Sequence, residues 1–126
     1  MPIYGSYPGW IQGGNSDNIE VEIFIDFLCA DSKANYPKVL AAMQSPVTGG
    51  GTVLDTVSLK VTNFPLDYHL HSWQVGQVLP YLMDLCVEDS SNCLMNDYMA
   101  WCFEVQDTVL GLTNMSKDEF TKYWSE

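Results

Sequence analysis

Polar and apolar positions alternate in two stretches of the chain and recur at helical spacing in several others. Residues 19–28, IEVEIFIDFL, alternate at first and then turn apolar on both faces, which predicts a central strand of a covered sheet. Residues 56–64, TVSLKVTNF, alternate throughout: Val57, Leu59 and Val61 share one face, and Ser58, Lys60 and Thr62 the other. That is the pattern of a half-buried strand. Between them, residues 31–45 (DSKANYPKVLAAMQS) read as a helix that Pro37 kinks or breaks, and PVTGGGT reads as a loop.

After a turn at PLDYHLHS, residues 73–86 carry a helical pattern weakened by Gly76 and Pro80. VEDSSN is a polar loop. Leu94, Tyr98, Trp101, Val105 and Val109 then recur at helical spacing up to Gly111, a suitable C-terminal cap. Ser116 and Glu119 have capping-box spacing and open a last helix. Residues 1–18, rich in Gly, Pro, Tyr, Asn and Ser, predict an irregular arm whose Tyr4, Tyr7 and Trp10 lie against the body. The predicted order is β–α–β–α–α–α. No internal repeat or linker interrupts it. The segments group as an arm (1–18), a strand–helix–strand part (19–70) and a helical subdomain (71–126).

A length of 126 residues with 47% hydrophobic content suits one folded domain. Five basic against sixteen acidic residues give a net charge of −11, which repels phosphate backbones and anionic lipid. Nucleic acid and membrane surfaces are therefore not expected partners, and no apolar run is long enough to span a membrane. MPIYGSYPGW has neither basic residues nor an apolar run, so it does not read as a secretory signal. NMS at Asn114–Ser116 is a glycosylation sequon, a short motif that often arises by chance.

Candidate chemistry centres on Cys29, which ends the first apolar run just before a helix. Unpaired backbone N–H groups at a helix start favour a thiolate, while the negative charge of Asp31 opposes it. Ser32 stands where a dithiol enzyme has its resolving cysteine, so Cys29 can capture another thiol but cannot complete a dithiol cycle alone. The bland alternative is a small buried residue at a strand end. Cys86 and Cys93 flank the polar loop between two helices, where they can form a disulfide or remain free thiols; Cys102 is out of phase with Cys93. His69 and His71 stand at i and i+2, without the three or four convergent ligands of a metal site. No metal or other cofactor is expected: one histidine is assigned a backbone hydrogen bond in the turn, the other a solvent-facing position. TGGGT lacks the lysine and spacing of a phosphate loop, and no serine sits in a nucleophile elbow.

Cys29-Ala30-Asp31-Ser32, the proline eight residues after the cysteine, and NFPLDYHLHSWQVGQVLPYL at residues 63–82 together resemble DsbA-like thioredoxin-fold proteins. The likeness is to the variants that carry a Cys-Pro-Asp-Ser motif, and it covers roughly residues 11–86. It implies an α/β thioredoxin-like fold with a helical insertion and a monothiol thiol-disulfide protein, possible as an oxidoreductase or isomerase. Cys29 is then the nucleophile and Ser32 a hydrogen-bond donor to its sulfur, with protein thiols as substrates, no cofactor, and a secretory or extracellular setting. The alternative is a non-catalytic protein-binding or structural module. Ala30 replaces the family's proline and Ser32 its resolving cysteine. The family's later strand, with its cis-proline, has no counterpart here. The fold is therefore expected to be truncated or completed by another chain, in a homo- or hetero-oligomer.

Overall fold

The computed structural model describes residues 9–14 and 19–126. Among the described residues the chain is mixed α/β, with three strands and five α-helices: β1 (Gly9–Gly13), β2 (Ile19–Ile25), α1 (Ala30–Met43), β3 (Val57–Asn63), α2 (Ser72–Gly76), α3 (Leu79–Glu88), α4 (Met95–Leu110) and α5 (Lys117–Ser125). The sheet order is β1-β3-β2, with β1 antiparallel and β2 parallel to β3.

The residues predicted as an irregular arm thus supply a strand. GWIQG hides it because glycines flank a single apolar pair, and the register is interrupted by a bulge between Ile11 and Gly13. Gly14 ends the strand at φ +91°, and a Cβ there would strike the backbone of Val57 and Ser58. Trp10 is buried and donates from Nε1 to Asn96 Oδ1 at 2.7 Å, which ties β1 to α4. Tyr4 and Tyr7 lie outside the described residues.

The second correction concerns β2. It is not a central strand: it stands at one edge of the sheet, with Ile19 75% and Phe24 58% exposed. In the parallel register Val21, Ile23 and Ile25 lie alongside Leu59, Val61 and Asn63, while Glu20 and Glu22 lie alongside Ser58 and Lys60. The first face meets the helical core. The second is a polar stripe on which Lys60 Nζ lies 3.7 Å from Glu20 and 3.4 Å from Glu22, and Thr62 donates to Glu22 at 2.7 Å. A parallel pair usually has both faces covered. β3 follows that rule: it is the middle strand, and Ser58 and Thr62 of the second face are 1% and 0% exposed, so the half-buried strand expected over residues 56–64 is buried on both sides. Only the charged groups of that face keep water contact, since they would be costly to bury.

Helix α1 runs continuously through Pro37, so the proline does not break it. The helix predicted over residues 73–86 is two helices. α2 ends at Gly76, where a Cβ would strike the Asn63 side chain, and α3 restarts with Pro80 in its first turn, where no N–H is needed. In α4 the buried side is Met95, Met99, Cys102, Phe103, Gln106 and Val109. The predicted stripe is therefore rotated, since Leu94 and Trp101 are exposed. Phe27 packs edge-on against Tyr98 and Phe103, joining the end of the β2 segment to α4. Ser116 and Glu119 close the capping box that opens α5. No helix among the described residues is long and apolar enough to cross a membrane.

Candidate functional site: the Cys29 turn and its buried carboxylate

The chain leaves β2 at Ile25 and turns through Asp26–Cys29 before α1 begins. Two hydrogen bonds fix that turn: the Cys29 N–H donates to the Asp26 carbonyl at 3.1 Å, and the Leu28 N–H to Asp26 Oδ1 at 2.9 Å. The second is a short side-chain-to-backbone closure of the kind aspartate favours. The Lys33 N–H then donates to the Cys29 carbonyl at 3.1 Å, and α1 is under way with Cys29 as its N-cap. The cysteine sulfur makes no capping hydrogen bond, and the residue is half-buried.

Asp26 is 3% exposed, which for a carboxylate demands partners. It has four. Oδ1 accepts from the Leu28 N–H and from the Ser72 hydroxyl; Oδ2 accepts from the Leu66 N–H at 3.0 Å and from His69 Nδ1 at 2.6 Å. The carboxylate fixes the tautomer, because Nδ1 must carry the proton it donates. One side chain thereby gathers the Cys29 turn, the loop after β3 and the first residue of α2. The set is not a serine–histidine–aspartate relay. Such a relay runs serine to histidine to aspartate, whereas Ser72 and His69 each donate to the same carboxylate.

Ser32 lies on the inner side of the first turn of α1, where its Oγ accepts the Asp26 N–H at 3.3 Å. Cys29 and Ser32 are thus both joined to Asp26, one through its carbonyl and one through its N–H. Asp26 escaped the sequence analysis, although a signal was present. An acid inside the run IFIDFL, flanked by apolar residues on both sides, has to be exposed or fully partnered.

The histidines differ from expectation. Neither faces solvent freely: His69 is held by Asp26, and His71 is 2% exposed. The His71 Nε2 lies 3.2 Å from the Leu112 carbonyl, and its ring stacks on Phe120 at 4.0 Å. They serve different neighbours, and no group of three His, Cys, Asp or Glu among the described residues could hold a metal ion.

The remaining cysteines are separate from this turn. Cys86 and Cys93 form a disulfide across the polar loop after α3, with Cα atoms 4.4 Å apart. Cys102 is a free thiol on the buried face of α4, and burial pushes it up to about 12. Asn114 of the sequon is exposed in the turn before α5.

Compared with known proteins, the chain matches no family model, no curated protein and no solved structure.

Proposed function

We propose that the chain is a thioredoxin-like protein of the DsbA-like type that exchanges thiols and disulfides through Cys29 alone. The observation that carries this reading is the contrast between its two free cysteines: Cys29 is only half-buried at the start of α1, and Cys102 is sealed in the core. A thiol in the interior with a strongly raised titration point neither ionises nor meets a partner.

In the exchange, the Cys29 thiolate attacks one sulfur of a partner's disulfide. The partner's S–S bond breaks, its other sulfur leaves as a thiolate and takes up a proton, and a mixed disulfide with Cys29 remains. A second thiol, from the partner or from a small molecule, attacks that mixed disulfide and releases Cys29. Ser32, whose oxygen accepts the Asp26 N–H, makes no hydrogen bond to the Cys29 sulfur among the described residues. In this reading it offers its hydroxyl to that sulfur as a hydrogen bond during the exchange, and keeps its proton. The turn tied down by Asp26 supplies the geometry; it positions Cys29 and touches no substrate.

The test is incubation of the folded chain with glutathione disulfide, followed by peptide mapping. The adduct is expected on Cys29 alone, and excess thiol should remove it. A chain that forms no adduct, or forms it only on Cys102, rules the reading out. The second reading, a non-catalytic protein-binding module, is favoured by the position of β2 at the edge of the sheet.

A further inference from the structure

Strand β2 has seven residues, and among the described residues only β3 pairs with it. Its outer row of N–H and C=O groups is therefore a template for another strand. The chemistry on either side of that edge is lopsided. Toward α1 runs a groove of about 380 Å³, with apolar walls from Ile23, Ile25, Tyr36 and Val39, and with Asp31 and Ser32 at the end where Cys29 starts the helix. On the other face, Glu20 and Glu22 share one ammonium, Lys60.

A strand laid along this edge would point alternate side chains to opposite faces. One set would enter the apolar groove. The other would stand beside Glu20 and Glu22, where a cation is favoured over an anion. A second copy of the chain would bring the same two carboxylates and a further net charge of −11, so the edge repels its own kind.

We propose that the outer edge of β2 receives an extended segment of the exchange partner, in which apolar residues alternate with Lys or Arg and a cysteine follows. Main-chain hydrogen bonds give the affinity and the two faces give the sequence preference. The segment runs along the groove toward the Cys29 end and delivers its sulfur there. The proposal rests on the exchange reading for Cys29 for its choice of partner, and on the edge of β2 for where that partner binds.

The probe is a synthetic peptide as long as β2, alternating valine and lysine and ending in glycine and cysteine. Binding is measured on the Cys29→Ser chain, so that no covalent step contributes. Three results are expected: slowed hydrogen exchange in β2, affinity that falls with salt, and affinity about tenfold weaker for Glu20→Lys. A peptide methylated on alternate backbone nitrogens should lose binding. Equal binding of a valine–glutamate peptide, binding that survives methylation, or a dimer of the chain itself with β2 protected would overturn the proposal. The exchange reading is separated by repeating the experiment with native Cys29. Exchange that is indifferent to the methylated peptide overturns docking at β2 and leaves the thiol chemistry standing. Binding to the Cys29→Ser chain without exchange at native Cys29 overturns the thiol role and supports the docking edge.

Discussion

The His69 imidazole stands against the Asp26 carboxylate, with Nδ1 2.6 Å from Oδ2 across 43 positions of sequence. The contact is one of four that complete the hydrogen bonding of a buried acid, and it closes the loop after β3 onto the turn that carries Cys29. In this interior a missing acceptor is costlier than a present one is stabilising, because each abandoned donor keeps its desolvation penalty.

Asp26→Asn keeps the shape and removes the charge. It also points an amide N–H at a donor, since all four partners of Asp26 donate. The expected loss is about 2–4 kcal/mol of stability, with faster hydrogen exchange at Leu28 and Leu66. Ser72→Ala removes one bond of the four and should cost about 1 kcal/mol. Urea unfolding of the two variants checks the order. An Asn variant as stable as the Ala variant would show that the carboxylate does not organise the turn.

The hydrophobic pattern located β3 and α4 to within a residue or two, because polar and apolar positions alternate cleanly in β3 and recur at helical spacing in α4, although β3 is buried on both faces rather than half-buried. The capping box of α5 was equally legible, since both partners are local. What escaped was set by distant contacts. β1 shows itself only when GWIQG meets β3, and the apolar content of β2 suggested burial that its edge position denies it. The hub at Asp26 joins residues 26, 66, 69 and 72, whose proximity no local spacing encodes. Cys29 could be singled out at a helix start, whereas the inward lean of Ser32 onto Asp26 could not.

The Cys86–Cys93 disulfide joins residues 7 apart and fastens the end of α3 to the loop before α4. Closing so short a loop should stabilise the fold by about 2–3 kcal/mol. Denaturant melts with and without reductant should differ by that amount, with unchanged spectra before the transition. A Cys86→Ser, Cys93→Ser double variant should match the reduced protein and ignore reductant. A reduced protein as stable as the oxidised one would show that the bridge adds nothing to the fold.

Alkaline pH should weaken the protein through α4. The Cys102 thiol is pushed up to about 12 by burial, and burial raises the Tyr98 phenol as well. Both groups are neutral in the folded and the unfolded chain below about pH 8.5, the ordinary range of a thiol. Above it the unfolded chain loses protons that the folded chain keeps, so stability falls as pH rises toward 12. For Cys102 alone the slope is about 1.4 kcal/mol per pH unit within that window. Cys102→Ala should flatten the slope, and thermal melts between neutral and alkaline pH test this. A slope unchanged in the Ala variant would assign the loss to another group.

The central claim is that the fold makes Cys29 an exchanging thiol, and it is tested most directly by comparing the same residue folded and unfolded. The rate at which Cys29 forms a mixed disulfide with a small uncharged aromatic disulfide is measured at neutral pH by mass mapping. The measurement is made in the native chain and again in urea, with Cys86–Cys93 intact. The account predicts a several-fold faster reaction in the native chain, because the hydrogen bonds of the Asp26 turn hold Cys29 in one presented geometry at the start of α1. A native rate equal to or below the unfolded rate would contradict the account and make Cys29 an ordinary residue at the end of a strand.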